Sequence, residues 1–136
     1  MQWLKRKALS TSWVFFGSVA GGGLRFALQE GSVLGLGLLW LPATTIAINI
    51  LASAALGFVI ALTHVPRPTH RRVDYQAQRR LFWGTGFCGG FSSFSLFTVD
   101  WLMLAIHPLA AFFYIVGSVL MGLMGFCLAG YITRNE

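Results

Sequence analysis

Residues 84–98, Gly-Thr-Gly-Phe-Cys-Gly-Gly-Phe-Ser-Ser-Phe-Ser-Leu-Phe-Thr, lie inside a hydrophobic run long enough to cross a bilayer, yet they carry the wrong residues for a continuous membrane helix. Each interior glycine costs a helix about 1 kcal/mol relative to alanine. Gly84, Gly86, Gly89 and Gly90 fall here, and the Ser92 and Ser93 hydroxyls that follow compete for main-chain groups. The pattern predicts a break near residues 88–93. Hydrocarbon tolerates non-helical backbone only where protein or a wet cavity satisfies its polar groups, so a break at this depth implies a site. Freed carbonyls suit a small cation, whereas hydroxyls and half-helix N-termini suit an anion. Just past the break, the i,i+3 spacing of Phe94 and Phe97 predicts that they share one helix face.

The rest of the composition fits a single membrane domain. With 136 residues, 56% of them hydrophobic and 10% charged, the chain is too apolar for an ordinary soluble fold. Its net charge of +6 does not indicate nucleic acid, because the basic residues flank hydrophobic runs instead of interleaving with a polar face. Cys88 and Cys127 both fall within predicted spans, form no metal-ligand pattern and read as small buried hydrophobes.

Four spans are predicted, at about 12–29, 42–63, 81–106 and 109–132, the third broken near its centre. Lys5, Arg6 and Lys7 before an apolar run also resemble the start of a secretory signal, with Ser18-Val19-Ala20 as a conceivable cleavage site, but the run continues into Leu24 and reads better as a helix. Gly17, Gly21 and Arg25 recur at intervals of four and predict a face that another helix approaches closely. Arg25 reads either as a helix-end charge that snorkels or as a half-buried cation that draws anions or orders the break. Residues 30–41 read as a Gly- and Leu-rich connection, with Pro42 in the first turn of the second helix. Thr45, Asn49, Ser53 and Gly57 form a narrow polar and small stripe along that helix. The Asn49 amide brings two donors to mid-membrane, where a neighbouring helix or a permeating ion must use them. Residues 64–80 form a polar loop, in which His64 and His70 read as solvated. Asp100, past the break, reads as a helix-end carboxylate, a partner for Arg25 or a group that tunes ion access. Gly122 reads as a packing residue in the last span.

The stretch Gly-Phe-Cys-Gly-Gly-Phe-Ser-Ser-Phe-Ser-Leu-Phe resembles the signature of the Fluc (CrcB-type) fluoride channels. Gly-Gly-Gly-Leu-Arg-Phe at 21–26, Asn-Ile-Leu-Ala-Ser-Ala-Ala-Leu-Gly at 49–57, and Tyr114 with Ser118 extend the resemblance over nearly the whole chain. It implies an all-α integral membrane protein that pairs as an antiparallel, dual-topology dimer with two pores, exports fluoride passively from the cytoplasm and sits in a bacterial inner (plasma) membrane. By the same resemblance Asn49, Phe94, Phe97 and Tyr114 belong to the ion pathway. The backbone carbonyls of Gly89 and Ser92 from two subunits would enclose a structural Na⁺, and Arg25 and Asp100 would serve a vestibule or structural role. Leu96 stands where the family pattern has Ser or Thr, and Ala52 where it often has Gly.

Fluoride is small and strongly hydrated, so a pore must replace water with several modest donors. Asn49 offers amide hydrogens, Ser92, Ser93, Ser95, Thr98 and Ser118 offer hydroxyls, and the Phe94 and Phe97 ring edges carry partial positive charge. The topology places nine Lys and Arg on one side and Arg25 alone on the other, which predicts cytoplasmic termini. So large a bias fits either a homodimer whose later charges do not enforce orientation or pairing with an oppositely oriented paralogue. A cation exporter of the small multidrug type needs a mid-membrane carboxylate, and Glu30, Asp74, Asp100 and Glu136 all read at span ends or in loops. A purely structural membrane subunit remains the bland alternative. No constellation of nucleophile, base and metal ligands suggests an enzyme.

Overall fold

The computed structural model describes residues 2–37, 41–63 and 76–135, with side chains throughout except at 2–9, 36 and 135. The predicted loop residues His64, Pro66, Arg67, Pro68, His70, Arg71 and Arg72, and the side chains of Lys5, Arg6 and Lys7, lie outside the described set. Every described element is helical: α1 (Gln2–Leu36), α2 (Leu41–Leu62), α3 (76–91), α4 (Phe94–Leu104) and α5 (Pro108–Asn135). Helices α3 and α4 together make the broken third span, Gln76–Leu104.

Among the described residues, three segments are long and apolar enough to cross a membrane: Leu41–Leu62, Gln76–Leu104 and Pro108–Arg134. The expected first span at 12–29 is part of a longer helix, because α1 runs unbroken for 35 residues through most of the stretch read as a connection at 30–41. Its lower hydropathy follows in part from Gly17, Gly21, Gly22 and Arg25, residues that approach other parts of the protein. Gly37, at φ +86°, closes this helix in the left-handed conformation that glycine adopts without a Cβ penalty. Pro42 sits in the first turn of α2, where its missing N–H costs nothing.

Two helix pairs build the bundle. Helix α1 lies along α3, with Gly17 and Gly21 against Gly86 and Gly90; a Cβ at Gly90 would stand 2.5 Å from the Ser18 carbonyl, and one at Gly86 2.7 Å from that of Val14. Helix α2 lies along α5, where Gly57 abuts the Phe126 carbonyl and Gly122 meets Ser53. Backbone-on-backbone approach of this kind gives membrane helices van der Waals contact without a hydrophobic driving force. A small cluster of Ile48, Ala52 and Phe91, with Phe87 against it, joins the two pairs just before the break.

Residues Arg80–Cys88 of α3 are wound as a π-helix, followed by one α-helical turn, Gly89–Phe91. The chain is then extended at Ser92 (ψ 156°) and Ser93 (φ −143°, ψ 112°) before α4 begins. The predicted break is therefore present, at its C-terminal limit. The preceding π winding was not foreseen; it coincides with the glycines at 84 and 86, where a helix tolerates rewinding most easily.

Candidate functional site

The break is held by Asn49 of α2. Its Oδ1 accepts from the Ser93 backbone N–H at 2.9 Å, and its Nδ2 donates to the Ser93 carbonyl at 3.3 Å. One side chain thus satisfies both main-chain groups of the residue that leaves the helix. The Ser93 hydroxyl caps α4 by accepting from the Leu96 N–H at 3.2 Å, and it lies 3.2 Å from the Ser95 hydroxyl. In a continuous helix the Ser93 N–H would serve the Gly89 carbonyl and the Leu96 N–H the Ser92 carbonyl. Both carbonyls lose those donors here. Gly89 O retains only a long 3.4 Å contact from the Ser92 hydroxyl, and Ser92 O a 3.5 Å contact from Arg25 Nη1.

Arg25 reaches the break through that contact, and its Nε is buried without a hydrogen-bond partner. Its expected pairing with Asp100 is not formed. Asp100 is instead buried, only 3% exposed. The Tyr114 hydroxyl donates to its Oδ2 at 3.1 Å. The Tyr114 ring stacks on Phe97 with centroids 5.2 Å apart, and Phe97 lies 6.0 Å from Phe94. Sequence spacing foresaw the phenylalanine pair but not the Tyr114–Asp100 bond, which joins residues fourteen apart on different helices.

That bond yields a direct expectation. Tyr114→Phe keeps the stacked ring but leaves a buried carboxylate without its donor, at a cost of about 1–3 kcal/mol. Thermal unfolding in detergent should show a lowered midpoint, with Asp100→Asn milder because it retains an acceptor oxygen.

A cleft of about 280 Å³ opens beside the break, lined by Asn49, Ser53, Ser92, Ser93, Phe94, Phe97, Ser118 and Val119. Of the residues expected along an ion pathway it gathers Asn49, Ser93, Phe94, Phe97 and Ser118. Ser95, Thr98 and Tyr114 do not line it. Thr98 and Ser118 each donate to the carbonyl one turn back, of Phe94 at 2.7 Å and Tyr114 at 2.5 Å, so each hydroxyl must rotate before it can serve an ion. Phe94 is 80% exposed and projects away from its own chain.

The Gly89 and Ser92 carbonyls fit a hard monovalent cation. Both have lost their helical donors, and a carbonyl oxygen with one long contact keeps a lone pair available. Among the described residues there is no cluster of His, Cys, Asp and Glu that would hold a transition metal.

Residues 12–131 match the family described as CrcB-like protein, Camphor Resistance (CrcB). The chain is also similar to proteins named fluoride-specific ion channel FluC. It is 35% identical to one from Methylobacterium sp. (strain 4-46), covering 93% of this chain and 98% of that protein. For another from Paramagnetospirillum magneticum the identity is 36%, over 93% and 96% of the two chains. A third, from Phocaeicola vulgatus, is 34% identical over 89% and 95%. With the broken helix, the paired phenylalanines and a match across most of its length, this chain belongs to the CrcB-type family, to which the Fluc resemblance of its break motif pointed.

Proposed function

We propose that this protein is a passive, fluoride-selective channel in a bacterial inner membrane that lowers cytoplasmic fluoride. The cleft beside the break carries the reading, because it combines an amide, hydroxyls and two aromatic rings in a membrane span without a carboxylate in its lining. Fluoride accepts hydrogen bonds and donates none. Asn49 Nδ2 has a second hydrogen beyond the one spent on Ser93. The hydroxyls of Ser93, Ser95, Thr98 and Ser118 supply further donors on rotation, and the phenylalanine edges supply weaker positive charge. Modest, replaceable donors let an anion shed water and still leave.

The working unit is proposed to be an antiparallel homodimer with two pores. The exposure of Phe94 supports a second copy, since a ring that projects from its own chain can complete a pathway in its neighbour. The carbonyls of Gly89 and Ser92 from both copies would hold a Na⁺ at the centre. A bound Na⁺ would supply a fixed positive charge that favours anions nearby. Tyr114 would orient Phe97 through ring stacking while Asp100 anchors its hydroxyl. Cytoplasmic termini follow the nine-to-one distribution of Lys and Arg in at least one orientation.

The test is fluoride efflux from liposomes that contain this chain alone, with chloride as the control ion. Fast fluoride release without matching chloride release is expected, and Phe94→Ile should slow it about tenfold or more by removing one positive ring edge. No release from folded, crosslinkable dimers would reject the channel reading. No release from protein that fails to crosslink to itself would instead reject the homodimer and favour an oppositely oriented paralogue.

A further inference from the structure

We propose a second fluoride-binding station on the N-terminal side of the break, with the Thr85 hydroxyl as its principal donor; the proposal rests on the channel reading above. A cleft of about 330 Å³ lies there between α2 and α3, lined by residues that include Ser53, Thr85, Cys88, Gly89 and Ser92. Ser53 and Ser92 also line the phenylalanine cleft, so the two spaces adjoin. Gly84 and Gly89 keep the new cleft open, since no side chain projects from either.

Thr85 differs from every other described serine and threonine. In the spans, Thr45, Ser53, Thr63, Thr98, Ser118 and Thr133 each fold the hydroxyl onto the carbonyl four residues back. This is how a membrane helix normally satisfies a hydroxyl that has no water. Thr85 makes no such bond, nor any other hydrogen bond among the described residues. The cause is local: Thr85 lies in the π-wound stretch Arg80–Cys88, where carbonyls pair with the N–H five residues on. The register that would bring the Leu81 carbonyl to the Thr85 hydroxyl is lost. A π turn has therefore released a donor into a cleft beside the break.

The chemistry of the lining selects an anion. Thr85 offers an unspent O–H, and the Ser92 O–H is held only by a 3.4 Å contact to Gly89 O, so it turns readily. Ser53 donates to the Asn49 carbonyl at 2.9 Å and is the spent hydroxyl of the three. No carboxylate lines the cleft, and along α3 it lies toward Arg79 and Arg80. Ser92, shared by both clefts, is placed to pass an ion between Asn49 and the phenylalanines on one side and Thr85 on the other. The ligand is a small, strongly hydrated halide, because two hydroxyls replace water for fluoride far better than for a large, weakly accepting anion.

The experiment compares wild type, Thr85→Val and Thr85→Ser in fluoride-loaded liposomes, over a range of fluoride concentrations, after dimer content has been measured by crosslinking. Valine keeps the shape and removes the donor; serine keeps the donor and trims the shape. Loss of one hydrogen bond to the ion predicts about tenfold slower flux for Thr85→Val at low fluoride. The deficit should narrow at saturating fluoride, Thr85→Ser should run close to wild type, and dimer content should be unchanged in both. The station is overturned if Thr85→Val conducts as wild type, if both variants slow equally, or if valine acts by dispersing dimers. Wild-type protein that releases no fluoride would overturn the channel reading itself, an outcome separate from any difference among variants.

Discussion

Asn49→Leu is expected to abolish fluoride flux and to destabilise the folded protein together. The substitution removes the acceptor of the 2.9 Å bond from Ser93 N–H and the donor of the 3.3 Å bond to Ser93 O. The Ser93 N–H is then left without a partner inside the membrane, where no water replaces it, and the Ser93 carbonyl keeps only the Phe97 N–H at 3.5 Å. An orphaned N–H costs about 1–3 kcal/mol, and the upper end of that range is a factor of over a hundred in the population of the broken helix. Flux per folded protein should fall at least as far. The pair of measurements separates two uses of the amide. Lost flux at unchanged thermal stability would show that Asn49 serves the ion and not the break. Unchanged flux and stability would show that both bonds to Ser93 are energetically idle.

The same residue shows how far the sequence could be read. A lone asparagine on an apolar span announces that something must use its donors, and the spacing of Thr45, Asn49, Ser53 and Gly57 sets the face on which that user lies. The user is Ser93, 44 residues away. No local pattern names a partner at that distance. The break itself was legible because Gly89-Gly90 and Ser92-Ser93 weaken a helix by short-range effects, and the phenylalanine pair because i,i+3 spacing fixes a helix face. What stayed hidden depends on packing between distant segments: the burial of Asp100, its bond to Tyr114, and the π winding that frees Thr85. Arg25 lies between these cases. Its interval of four from Gly21 gave the face, while its contact with Ser92 O instead of Asp100 depends on how closely α1 approaches the break.

That close approach is set by glycine, and Gly21→Ala should disrupt it with a second large effect. A Cβ at position 21 falls on the Phe87 carbonyl and only 2.8 Å from the Phe91 N–H nitrogen. Both are main-chain atoms, so no rotamer change relieves the overlap and α1 must move away from α3. Overpacking of a tight contact costs about 1–3 kcal/mol even where side chains can adjust, and a rigid backbone places this case at or beyond the upper end. Gly23→Ala is the matched control. It lies on the same helix, two residues on, with nothing within 4 Å of its added methyl. Alanine there relieves a helix-propensity penalty of about 1 kcal/mol. One substitution, made at two neighbouring glycines, should therefore move the unfolding midpoint in opposite directions. Gly21→Ala should also lose fluoride flux beyond its loss of folded protein, because a displaced α1 withdraws Arg25 from the Ser92 carbonyl at the break. Equal behaviour of the two variants would mean that α1 and α3 do not meet at this seam.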